Sequence, residues 1–164
     1  MADRIGNAVV STLRLQPVRL ALPPGFDALR ADAVAEGHRM LERLAAEWDA
    51  GQRFDRDGEA LLVGWHGDAL AGIGGVAQDP GTSGALRMCR FYVGPAHRRR
   101  GTARALAGAL LREARRMGRP VLVNAGTPTA PAFWEALGFV PDPGGGHTHR
   151  LTATPEQPRA VPGR

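Results

Sequence analysis

Residues Ala96–Arg116, AHRRRGTARALAGALLREARR, set three consecutive arginines and a glycine directly before a leucine- and alanine-rich repeat. A helix N-terminus leaves backbone N–H groups without partners and is already the electropositive end, so cationic side chains there are unfavourable unless an anion joins them. Arg98, Arg99, Arg100, Gly101, Thr102, Ala103 and Arg104 supply a glycine that lets a ligand approach the backbone, a small residue two places on, and flanking guanidiniums. A diphosphate on this turn would take up the N–H donors and neutralise the arginines together. A solvated basic turn is the alternative. The run is not a P-loop, because no Gly-Lys-Ser/Thr follows.

Other reactive residue types are sparse. His147 and His149 have the alternate spacing that puts two side chains on one face of a strand, but no third ligand is evident, so no metal is expected. Cys89 is the single cysteine; it cannot form an internal disulfide and reads as a small buried apolar residue. Trp48 and Trp65 lie in apolar patterns and read as core.

The chain has 164 residues, 43% apolar and 23% charged, the profile of one compact domain. No basic-then-apolar leader and no long apolar run is present, so a cytoplasmic location is expected rather than secretion or membrane insertion. All 21 basic residues are arginine, a pattern attributed to coding bias. Residues 1–84 hold 8 arginines against 12 acids, and residues 85–164 hold 13 against 4. That division suggests two ligand preferences on one domain. Acidic residues between Asp27 and Asp57 would attract a cationic amine, and the basic half an anion.

The elements that must position the basic turn follow from periodicity. A strand is expected over Val9–Val18, then one long helix or two short ones between Asp27 and Trp48, with Gly37 where a break would fall. Ala60–Trp65 and Ala69–Val76 flank His66-Gly67-Asp68 as a hairpin, and Asp79–Gly84 is a loop. Leu86–Val93 is a third strand, ended by Gly94-Pro95. Leu106, Ala107, Leu110, Leu111 and Ala114 form the apolar face of the helix that follows, and Gly118 and Pro120 stop it. Val121–Val123 is a short buried strand and Thr129–Leu137 a helix closed by Gly138. Phe139-Val140 and His149–Ala153 close the sheet around a loop at Pro141–Gly146. This order is an α+β fold.

The stretch RFYVGPAHRRRGTARALAGALL resembles the cofactor motif of the GNAT superfamily of acetyl-CoA-dependent N-acyltransferases. Arg98, Gly101 and Ala103 stand at its defining positions, Arg/Gln-x-x-Gly-x-Gly/Ala after a strand. VLVNAGTPTAPAFWEALGF is similar to the family's second motif, a strand, a loop and a helix ending in Leu-Gly-Phe. The resemblance covers Leu86–Phe139 and implies a single GNAT-like domain over residues 1–153, with a disordered tail at 154–164. It implies a mixed, mostly antiparallel sheet, flanked by helices and splayed between Leu86–Val93 and Val121–Val123. Acetyl-CoA would be the cosubstrate, its diphosphate on Arg99–Arg104. Its arm would lie beside backbone groups of Phe91 and Val93, with Asn124 and Phe133 on the far side.

The resemblance implies transfer of an acetyl group to an amine by direct attack on the thioester. A base or water chain must deprotonate the ammonium, and a backbone N–H would stabilise the developing oxyanion. Two residues depart from the family pattern: Trp134 stands where a tyrosine usually protonates the leaving thiolate, and Arg87 where many relatives carry a carboxylate. Asp79 is then the nearest candidate base and Tyr92, the only tyrosine, the candidate acid. The acceptor, a small-molecule or protein amine, is not specified, and a homodimer is left open. Nucleic acid and membrane are not expected as partners, because no stacking aromatics are interleaved with the arginines and the apolar runs are short and broken by glycine. A non-catalytic acyl-CoA sensor is the alternative that Trp134 and Arg87 suggest.

Overall fold

The computed structural model describes residues 12–152. The first residues of the expected strand Val9–Val18, Ala153 and the expected tail at 154–164 lie outside them. In chain order the elements are β1 (Leu13–Pro17), α1 (Phe26–Ala35), α2 (Met40–Asp49), β2 (Ala60–His66), β3 (Ala69–Gln78), β4 (Leu86–Val93), α3 (Thr102–Met117), β5 (Val121–Val123), α4 (Ala130–Ala136), β6 (Val140–Gly144) and β7 (His147–Leu151). The seven strands form one sheet in the order β1-β2-β3-β4-β5-β7-β6. Among the described residues only β4 and β5 are parallel neighbours; the other pairs are antiparallel.

Two apolar clusters cover the two faces. On one, Leu106, Ala107, Leu110, Leu111 and Ala114 of α3 pack with Val76, Leu86, Met88, Val121, Val123, Trp134 and Phe139. On the other, Phe26, Leu29, Leu41, Leu44 and Trp48 of α1 and α2 cover Leu61, Val63, Trp65, Ile73 and Tyr92. The segment 27–48 is two helices, and the break falls at Gly37, whose φ of +83° is inexpensive only for glycine. Gly118 ends α3 at φ +66°, and the Arg119 N–H returns to the Ala114 carbonyl at 3.3 Å, which satisfies a terminal acceptor.

One expected boundary is wrong. Pro141–Gly146 is not a loop: β6 extends through Gly144, and the chain reverses at Gly145 and Gly146, both left-handed, into β7. Proline at two positions hid this strand. It is tolerated because β6 is the sheet edge, where a missing N–H breaks no ladder.

The β4–β5 junction matters most for function. Leu86 pairs with Val121 and Arg87 with Leu122, and pairing stops there, although β4 continues for six more residues. β5 ends at Val123 and stays with β7, so the two strands part and leave a wedge along Met88–Val93. Among the described residues no helix is long and apolar enough to cross a membrane.

Candidate active site

At the open end of the wedge the chain leaves β4 through Gly94 and makes a single 3₁₀ turn at Pro95–His97. Arg98 is extended, Arg99 takes φ +61° and Gly101 φ +77°, and α3 begins at Thr102. No protein acceptor meets the N–H groups of residues 99–104 among the described residues; the first helical bond runs from the Ala105 N–H to the Gly101 carbonyl at 3.0 Å. Left-handed residues interleaved with others turn successive N–H groups into a shallow anion-binding concavity. Nothing lies within 4 Å of where a Cβ on Gly101 would sit, so the concavity is open. Arg99, Arg100 and Arg104 are exposed and make no ion pair among the described residues.

Arg98 behaves differently from its neighbours. Its guanidinium bonds to Glu36 at the end of α1, with Nη1 to Oε2 at 2.8 Å, and its Nε donates to the Val93 carbonyl at 3.1 Å. The arginine expected to face a diphosphate is turned back onto the protein instead. Val93, expected to bond an extended ligand, already has one carbonyl lone pair engaged. Thr102 is buried, and its Oγ1 lies 3.0 Å from His66 Nε2. The His66 ring stacks on His97 at 5.5 Å, which fastens the start of α3 to β2.

The wall of the wedge depends on a bulge. Between Ile73 and Gly75 the β3–β4 register shifts, so Arg90 and Phe91 together oppose Gly74, and Arg90 takes φ +56°. A bidentate ion pair from Arg90 to Glu47 of α2 holds the bulge. The Phe91 ring lies over Gly74, where any Cβ would overlap it. Its centroid is 5.3 Å from that of Trp134, edge to face, and Trp134 makes the same kind of contact with Phe133 and Phe139. Aromatic packing thus spans the wedge from β4 to α4. Trp134 is buried within this cluster, Phe133 is half-buried, and Asn124 is exposed just past β5.

The two candidate proton carriers are poorly disposed for that task. The Asp79 side chain is fully buried; its Oδ1 accepts from Arg87 Nε at 2.6 Å and its Oδ2 from the Gly81 N–H at 3.0 Å. Burial pushes the Asp79 carboxyl up, but the bond and charge of Arg87 and the Gly81 and Thr82 N–H groups outweigh it and hold it below the usual range. That is the opposite of what a base working near neutral pH requires. Tyr92 packs toward α1 and α2 and donates its hydroxyl to Glu36; burial and this carboxylate push it up, making it a weaker acid. Cys89, also expected to be unreactive, is pushed up to about 11, chiefly by burial, and stays a thiol at neutral pH. His147 and His149 bond separately to Asp142 and Glu135.

Three of the eight acids from Asp27 to Asp57 are in ion pairs: Asp27, Glu36 and Glu47. Glu36, Glu47 and Asp79 pair with Arg98, Arg90 and Arg87, three arginines at or just beyond β4. Sequence reasoning missed Glu36, Glu47, Gly74 and the His66–His97 stack. Only Gly74 left a signal, because three glycines (Gly72, Gly74, Gly75) inside an apolar central strand mark close approach of a neighbour.

Residues 29–154 match a family model described as an acetyltransferase (GNAT) domain. Among solved structures, a protein from Exiguobacterium sp. named for a suspected acetyltransferase activity superposes with a TM-score of 0.78 at 24% identity, covering 86% of this chain and 93% of that one. A GNAT family acetyltransferase from Brucella melitensis, solved with acetyl-CoA, gives 0.61 at 15% identity over 90% and 92%. A protein from Salmonella typhimurium, solved with its cofactor acetyl-CoA, gives 0.63 at 17% identity over 92% and 98%. At these identities the likeness is one of fold. No protein of curated function matches the chain in sequence.

Proposed function

Starting from the premise that this chain belongs to the GNAT acetyltransferase family, we propose that it transfers an acetyl group from acetyl-CoA to a primary amine. The observation that carries this reading is the run of unpartnered N–H groups at residues 99–104, at the mouth of a wedge between two parallel strands. The residues fit the donor. Six N–H groups, an open glycine and the unpaired Arg99, Arg100 and Arg104 suit a diphosphate, and the unpaired edge of Met88–Val93 suits an extended amide-bearing arm. Related folds from Brucella melitensis and Salmonella typhimurium were solved with acetyl-CoA, which supports the same ligand here.

In the reaction, the amine nitrogen forms a bond to the thioester carbonyl carbon, the carbon–sulfur bond breaks, and the sulfur leaves as thiolate. The ammonium must lose a proton first and the thiolate must gain one. With Asp79 committed to Arg87, Tyr92 committed to Glu36 and tryptophan at position 134, we assign proton movement to water in the open wedge. A backbone N–H of the unpaired β4 edge would receive the developing oxyanion. What remains for the chain is alignment of the two reactants, a large effect in its own right. We therefore read the protein as a slow transferase.

Calorimetric titration with coenzyme A, together with thiol release from acetyl-CoA over a panel of amines, tests the reading. Binding with steady thiol release supports it, and absence of binding refutes it. Tight binding without thiol release from any amine would favour a non-catalytic acyl-CoA sensor, the second reading that Trp134 supports.

A further inference from the structure

Arg87, Arg90 and Arg98 carry three guanidiniums at or just beyond β4, and they differ in what is left over. Arg90 uses Nε and Nη2 on Glu47. Arg98 uses Nε on Val93 and both terminal nitrogens on Glu36. Arg87 uses Nε alone, on Asp79 Oδ1, and its two terminal nitrogens meet no acceptor among the described residues. Its side chain is 25% exposed, whereas the carboxylate that orients it is 0% exposed. A buried carboxylate therefore grips the inner edge of this guanidinium and presents the outer two nitrogens.

The position of Arg87 gives that fork a use. Arg87 is the last β4 residue paired to β5, at the closed end of the wedge. Leu86 and Met88 point to the α3 face, so Arg87 points to the opposite face, where α2 packs. The β6–β7 turn comes close here: a Cβ on Gly146 would sit 3.8 Å from Arg87 Nη2, and one on Gly81 would sit 4.0 Å from the Gly145 carbonyl. Gly144, Gly145 and Gly146 put no side chain over the guanidinium. An arm anchored at residues 99–104 and extended along β4 would run toward this group.

We propose that Arg87 is the acceptor-binding residue and that the acceptor carries a carboxylate near its amine, as a free amino acid does. This rests on the acetyl-transfer reading and names the substrate class of that same site. A planar carboxylate matches two parallel N–H donors, which gives direction as well as attraction. Asp79 already balances the arginine's charge, so recognition comes from geometry more than from net charge. The acceptor is then zwitterionic rather than the cationic amine expected from the acidic stretch Asp27–Asp57.

The experiment compares amino acids with their carboxamides as acceptors, by thiol release from acetyl-CoA, in the wild type and in Arg87→Lys. Lysine can still pair with Asp79 but offers no fork. The wild type should prefer the carboxylate form by about 10–100-fold in kcat/KM, mainly through KM, and the ratio should fall toward one in Arg87→Lys. Coenzyme A affinity by calorimetry should be the same in both. The Arg87→Gln/Asp79→Asn pair, which keeps a hydrogen bond at Asp79 without charge, should also lose the preference. Equal use of acid and amide by the wild type, or a preference that survives both variants, overturns the proposal. Transfer only to amines lacking a carboxylate overturns it while leaving the transfer reading intact; failure to bind coenzyme A refutes the transfer reading itself.

Discussion

Gly74→Ala tests whether the shape of the wedge depends on one absent side chain. A Cβ at position 74 would lie within 2.8 Å of three Phe91 ring atoms, Cδ2, Cε2 and Cζ. The ring cannot retreat easily, because Trp134 stands edge-on at 5.3 Å and Arg90, beside it in the bulge, is tied to Glu47. Overpacking of this kind costs about 1–3 kcal/mol. For a domain of this size each kcal/mol moves Tm by about 2–4 °C, so a fall of about 2–12 °C is expected by differential scanning calorimetry. The displaced ring borders the edge where the cofactor arm is proposed to lie, so coenzyme A affinity should fall in the same variant. Phe91→Leu removes the ring. The double variant Gly74→Ala/Phe91→Leu should therefore be more stable than the two single losses added together, by about 0.5–3 kcal/mol of coupling. A Gly74→Ala protein melting within about 1 °C of wild type, or strict additivity in the double variant, would refute the steric argument.

Gly101→Asp should nearly abolish coenzyme A binding by calorimetry, since it puts negative charge into the N–H concavity. Gly101→Ala should cost about 1–2 kcal/mol of stability, because φ is +77° there and nothing else is crowded. Trp134→Phe should lower Tm through lost packing with Phe91, Phe133 and Phe139 yet change kcat little, and Trp134→Tyr should raise kcat if its hydroxyl reaches the sulfur. A collapse of kcat in the phenylalanine variant with cofactor affinity intact would assign the indole a catalytic role. The bonds from Arg98 and Tyr92 hold Glu36 at about 2 against an ordinary 4.5. Its contribution is therefore complete above pH 4.5 and lost as pH falls toward 2. Thermal melts between pH 6 and pH 3 should show a shallower decline in Glu36→Gln than in wild type, and identical slopes would contradict the linkage.

Local pattern alone determined several elements of this protein. The apolar spacing of Leu106, Ala107, Leu110, Leu111 and Ala114 fixed α3 and its buried face, because a 3.6-residue period leaves few alternatives. Gly101 and Gly118 fixed its ends, Gly37 the break between α1 and α2, and Val121–Val123 the buried strand beside the wedge. The donors of the proposed anion site were legible because they are neighbours in the chain, and geometry within a turn is local.

Contacts between distant segments were decided by the tertiary structure. Arg98 is 62 residues from Glu36, and Arg90 is 43 residues from Glu47. Composition gives the number of charges, but only the crossing of α1 and α2 over β4 selects which are neutralised. The same crossing committed Tyr92 to Glu36, whereas Asp79 is taken up by Arg87 across the β3–β4 connection, which leaves the two terminal nitrogens of Arg87 without an acceptor among the described residues. Phe91 over Gly74 needed a register shift, and a one-residue shift changes which face every later side chain meets. Periodicity names the buried face of an element. The partner on that face depends on where the sheet places two strands and how far each continues after the other has ended.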